Sequence, residues 1–175
     1  MRTMAKVGRL LCGLSLMSST GAMGIDPSYP SYIKLRSGTL AAGGLDDLLT
    51  TDRALTLVPI ACVAGVAAVE VDVGFVVQED FHSLTVAGTI ETPRGCTAKI
   101  LFKDFGNGRY ILFDELDLTN QRFVSENIPV DSETYRERST SEVEVRVVIR
   151  CGCGPPPTDK DDVSVQELTI GPTPK

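Results

Sequence analysis

Two stretches of the chain alternate apolar and polar residues at period two. Val69-Glu70-Val71-Asp72-Val73-Gly74-Phe75-Val76-Val77 is one, and Glu142-Val143-Glu144-Val145-Arg146-Val147-Val148-Ile149-Arg150 is the other. Such alternation predicts a half-buried strand, because successive side chains leave an extended backbone on opposite faces. In the second stretch the odd positions point inward, and the same parity carries Cys151 and Cys153 inward. Leu84 to Glu91, Thr97 to Lys103, Arg109 to Asp117 and Val163 to Ile170 read as further strands, with shorter patterns at Ala54 to Pro59 and Tyr32 to Arg36. In the last of the long strands Val163 and Val165 share one face while Leu168 and Ile170 share the other. A bulge near Gln166-Glu167 would restore the phase.

The residues between these runs are turn formers. Asn107-Gly108 separates two strong strands and predicts a hairpin. Thr92-Pro93-Arg94-Gly95 and Gly152-Cys153-Gly154-Pro155-Pro156-Pro157 are further turns or loops. A single short helix is expected, around Gly44 to Thr51. Strands without intervening helical periods predict an all-β fold, a single antiparallel β-sandwich, because parallel sheets need crossover helices.

The 175 residues are 42% hydrophobic and 23% charged, with one histidine and no tryptophan. That is one folded domain, and any site needing two histidines is excluded. Seventeen basic against 23 acidic residues give a formal charge of −6, which offers nothing for electrostatic capture of nucleic acid or an anionic membrane. The N-terminus orders basic, apolar and small residues: Arg2, Lys6 and Arg9, then Leu10 to Met17, then Ser18 to Ala22. This is the layout of a secretory signal peptide, and the apolar run is too short to span a bilayer. The predicted organisation is a signal peptide over 1–23, an extended arm with a short helix over 24–53, and the sandwich over 54–171. Losing three basic residues leaves 14 against 23, a mature charge of −9. The expected location is secreted, extracellular or in the cell envelope, with no transmembrane segment. A lipid anchor on Cys12 is not expected, since Arg9 stands only three residues before it.

Four cysteines remain after such a cleavage: Cys62, Cys96, Cys151 and Cys153. An even number in an exported chain predicts two disulfides. A bond within Cys151-Gly152-Cys153 would close a strained ring, so each is expected to pair with one of Cys62 and Cys96, in either order, between the two sheets. Zinc ligation lacks both paired Cys-x-x-Cys spacing and histidines.

Several short elements recur in a familiar order. Gly38-Thr39-Leu40-Ala41-Ala42-Gly43-Gly44-Leu45-Asp46-Asp47-Leu48 precedes Asp52 and Leu55-Thr56-Leu57. Leu84-Thr85-Val86, Ile100-Leu101-Phe102-Lys103-Asp104-Phe105 with Gly108-Arg109-Tyr110, and Val143-Glu144-Val145-Arg146 follow. Over residues 36–170 this order resembles uncharacterised jelly-roll-like β-sandwich modules of secreted bacterial proteins. Phe105 stands where the hairpin of such modules usually carries tryptophan. The resemblance implies a fold and a compartment, and it transfers no catalytic residue.

Chemistry-bearing patterns are few. His82 sits in a turn, and a relay through Ser83 fails because adjacent extended residues point apart. Asp114 with Asp117 or Glu115 could imitate a glycosidase pair. Asp46, Asp47 and Asp52 early, and Asp159, Asp161 and Asp162 late, are candidate calcium ligands, with solvated loops and caps as the alternative. Otherwise no cofactor is expected, and no catalytic residue. Tyr29 and Tyr32, in the N-terminal arm, are candidate partner-binding residues that could meet a neighbouring sheet edge. The expected function is therefore non-enzymatic: a structural or assembly subunit, or a surface-binding module, of the cell envelope or an extracellular matrix or fibre. Its contacts would be with a protein partner or a second copy through a strand edge or the arm, or with a polysaccharide. Alternatives are a carbohydrate-binding module and a small carboxylate-dependent hydrolase.

Overall fold

The computed structural model describes residues 28–49, 54–63, 65–92, 96–118, 121–152 and 163–172. The expected signal segment, Cys12, Cys153 and Asp52, Asp159, Asp161 and Asp162 lie outside them. The strands are β1 Pro30–Ser37, β2 Thr39–Ala42, β3 Leu55–Val58, β4 Ile60–Val63, β5 Val66–Val76, β6 Leu84–Glu91, β7 Cys96–Asp104, β8 Arg109–Leu118, β9 Gln121–Ile128, β10 Glu142–Gly152 and β11 Val163–Pro172. A 3-10 turn over Leu45–Leu48 and one helical turn, α1 Ser132–Tyr135, complete them. Every strand pairing is antiparallel.

The strands form two sheets. One runs β1-β5-β10-β7-β8, with β4 also on β5, and the other runs β2-β3-β11-β6-β9. Their facing sides share one core, in which Val71, Val73 and Phe75 of β5 meet Leu84, Val86 and Ile90 of β6 and Val163 and Val165 of β11. This is the antiparallel sandwich that the alternation predicts, of the jelly-roll-like kind that the resemblance implies. The inward parity of β10 holds, since Val143, Val145, Val147, Ile149 and Cys151 are all buried. The bulge in β11 falls between Gln166 and Thr169, with Glu167 at φ 49° taking up the extra residue.

Three expectations change. Residues 30–42 of the expected arm are strands of the sandwich: β1 lies on β5 and β2 on β3. Backbone pairing draws them in, and Ser28 bridges Ile170 beyond the end of β1. The short helix is a single 3-10 turn that buries Leu48 between the sheets at one end. Cys96 and Cys151 are bonded to each other, yet within one sheet, because the register of β7 and β10 sets them directly opposite. Parity fixes only that both point inward, and the pleat then aims them at each other across the strand pair instead of across the core. Cys62 lies on β4. The sequence pattern also passes over β2, β4, β9 and α1.

Candidate functional site

The outward side of the β1-β5-β10-β7-β8 sheet carries a row of side chains that hold one another. The register sets Tyr32 of β1 and Glu144 of β10 on either side of Gly74, and Lys103 opposite Tyr110. One step along, Lys34 and Arg146 flank Asp72. Two-residue periodicity thus gathers Tyr32, Asp72, Lys103, Tyr110, Glu144 and Arg146 from five strands onto one patch.

Asp72 is the centre of this patch and is fully buried. Arg146 grips it with two bonds, Nε to Oδ1 at 2.6 Å and Nη2 to Oδ2 at 3.1 Å. Arg36 Nε donates to Oδ2 at 2.5 Å, and the Tyr110 hydroxyl lies 3.0 Å from the same oxygen. The remaining arm of Arg146 pairs with Glu70 at 2.8 Å. Its guanidinium carbon also lies over the Tyr110 ring, 3.5 Å from the centroid. Burial alone would lower the Arg146 pKa, but the hydrogen bond and charge of Asp72, aided by Glu70 and Glu144, outweigh it and raise the value.

Glu144 is the second anchor. It accepts hydrogen bonds from the Tyr32 and Tyr110 hydroxyls, one on each oxygen, and pairs with Lys103 Nζ at 3.3 Å. Lys103 also lies 4.8 Å from the centroid of Phe105. The Tyr32 ring rests on the backbone of β5 where Gly74 leaves room. A Cβ at Gly74 would fall 2.0 Å from Tyr32 Cε1. Desolvation, then the bond and charge of Glu144, push the Tyr32 hydroxyl well above the ordinary tyrosine range. Two phenol rings are therefore held by one carboxylate on the outward side of this sheet.

The residues singled out from the sequence fall elsewhere, apart from Tyr32. Tyr29 is exposed just before β1. Asp114 accepts a hydrogen bond from Ser125 and stands opposite Ile100, whereas Asp117 stands opposite Thr97 on the other parity. Both lie on the same side of the β8 bulge, three residues apart, so their register positions fall on opposite parities. Glu115 pairs with Lys99 at 3.1 Å. Asp47 accepts the Gly44 amide proton at 2.7 Å, a capping role beside Asp46 on the 3-10 turn. Among the described residues no three His, Cys, Asp or Glu side chains gather to hold a metal ion, and no helix is long and apolar enough to cross a membrane. His82 lines an open depression of about 730 Å³ with Asp80, Asp131 and Arg136. There Arg136 is occupied in bonding the carbonyls of Gln78 and Glu79 and the Asp80 carboxylate, which ties α1 to the preceding turn.

Sequence reasoning missed Asp72, Glu144, Arg146 and Tyr110 as a group. The available signal was opposite charge on the polar faces of the two longest alternating strands, where outward positions need no charge at all.

No protein family and no curated protein matches this chain. Three solved structures are similar to it. The carbohydrate-binding module TmCBM61, solved with β-1,4-galactotriose, is 10% identical, with 80% of this chain and 86% of that one covered at a TM-score of 0.47. The enzymatically active domain of tailspike protein 4 of bacteriophage CBA120 is 13% identical, over 81% of this chain and 19% of that one, at 0.43. A variant of a family 29 carbohydrate-binding module is 9% identical, over 82% and 94%, at 0.35. None of the three carries the functional assignment, which comes from the residues of the face.

Proposed function

We propose that this chain binds a polysaccharide through the outward face of the β1-β5-β10-β7-β8 sheet. The observation that carries this reading is the pair Tyr32 and Tyr110, both locked by Glu144 beside the Asp72–Arg146 fork. A tyrosine ring offers an apolar face to the C–H side of a sugar, while the buried Asp72 and Glu144 carboxylates, engaged by Arg36, Arg146, Lys103 and the two hydroxyls, fix the rings instead of reaching the ligand. Ordering these side chains before the ligand arrives removes an entropic cost of binding. A site spread over the outward rows of five strands suits a stiff polymer better than a small molecule, which needs a concave pocket.

Binding is favoured over hydrolysis by how the carboxylates are used. Asp72 is held by Arg36, Arg146 and Tyr110, and Glu144 by Tyr32, Tyr110 and Lys103. Neither is left to hand a proton to a leaving group. The assembly reading loses the support it drew from the arm, since residues 30–42 pair within their own chain. An exported protein, as the N-terminal pattern suggests, would meet such polymers outside the cell, and this reading needs no metal.

Affinity gel electrophoresis tests it, with β-1,4-galactan, xylan, galactomannan, hydroxyethylcellulose and polygalacturonate in separate gels. At least one polymer should retard the wild-type chain. Tyr32→Ala, which removes a ring, and Gly74→Ala, which displaces it, should each weaken that retardation about tenfold, the effect of losing ~1.4 kcal/mol of stacking and fixed polar contact. Retardation by none of the five, or retardation indifferent to both substitutions, would overturn the proposal.

A further inference from the structure

We infer that the same face holds a second contact point about 20 Å from the tyrosine pair, so that the site takes the interior of a linear glycan chain instead of its end. The distance is that from Glu144 to Arg150, six residues of one strand at ~3.3 Å each. The inference rests on the polysaccharide reading and names the form of ligand.

Its basis is a shallow depression of about 280 Å³ bordered by Val66, Thr97, Lys99, Glu115, Arg150 and Gly152. Arg150 stands opposite Ala68 on one side and Thr97 on the other, and Val66 stands opposite Gly152. Small side chains in neighbouring rows make the dip, and the Lys99–Glu115 ion pair forms its wall. All these outward residues share the parity of Glu144 and Arg146 on β10 and of Lys103 on β7, so dip and tyrosine pair lie on one surface along the same strands. Between them Leu101, Val148 and Leu112 are outward apolar positions set among Arg146, Glu70 and Lys99, and Leu112 is exposed. Arg150 is exposed and, among the described residues, has neither an ion pair nor a hydrogen bond. Its guanidinium is free to donate to sugar hydroxyls, whereas Arg36 and Arg146 are bound to Asp72. Polar contact points with apolar positions interspersed between them match an extended chain that presents hydroxyls at intervals and ring C–H faces between them.

The same gels, with the same five polymers, test this through Arg150→Ala, which removes the donor, and Thr97→Arg, which fills the dip. Both positions lie away from the core, and the thermal midpoint of each variant is read beside its mobility. A polymer that retards the wild type should retard each variant about fivefold less, with the midpoint unchanged. Retardation of wild type and both variants alike overturns the second contact point and leaves the polysaccharide reading standing. No retardation of the wild type by any of the five overturns that reading, and this inference with it.

Discussion

Asp72 is a buried carboxylate on the polar side of a sheet, and it is tolerable there only because two guanidinium groups meet it. Removing one of them exposes the cost. Arg146→Ala takes away the bidentate partner and leaves Arg36 and the Tyr110 hydroxyl. A loss of about 1–3 kcal/mol in urea unfolding is expected, below the full penalty of an uncompensated buried charge because Arg36 still pairs with Asp72. A loss under ~1 kcal/mol, the range of an exposed ion pair, would show that the patch is solvated and loosely held. Tyr32 gives a second residue-level test. Its folded pKa is raised above the reference value of 10.0. The folded chain therefore keeps a proton that the unfolded chain gives up, and stability present below pH 10 declines as pH rises beyond it. Tyr32→Phe should flatten the alkaline limb of the stability profile. An unchanged limb would place the hydroxyl in solvent, away from Glu144.

At the scale of elements, the Cys96–Cys151 bond joins the central pair β7 and β10 and closes a loop with a sequence separation of 55. Replacing both cysteines by alanine should cost about 2–4 kcal/mol of unfolding free energy. An unchanged stability would mean that the ladder alone holds the register. The longest strands were legible in the sequence because their two faces differ in polarity: β5 and β10 read at once. The Val165-to-Leu168 phase slip located the β11 bulge, and Asn107-Gly108 located the β7–β8 hairpin. The elements that were not legible lack that contrast. β4, Ile60–Val63, is apolar throughout, and β2, Thr39–Ala42, is four residues exposed along their length. β9 follows β8 after only Thr119-Asn120, without the Gly or Pro that marks the other turns, and α1 is one turn capped by Asp131. The partner of Cys151 depended on which strands are neighbours, and periodicity gives no strand order.

For the whole molecule, the same limit explains the site. Alternation placed Glu70, Asp72, Glu144 and Arg146 outward, but their meeting with Tyr32 and Tyr110 depends on the order β1-β5-β10-β7-β8, set by long-range pairing. Tyr32 was singled out in an extended arm, and β1 sets it within its own sheet. The central claim is that this face, and not the strand edges or the depression near His82, is where the ligand lies. Backbone amide shift mapping of the isotope-labelled protein, titrated with soluble oligomers of whichever polymer retards it, tests that claim most directly. Shifts are expected to concentrate at Tyr32, Asp72, Gly74, Tyr110, Glu144 and Arg146, and to extend along β7 and β10 toward Thr97 and Arg150. Shifts confined to the surroundings of His82 and Arg136, or to the edge strands β2 and β9, would contradict it.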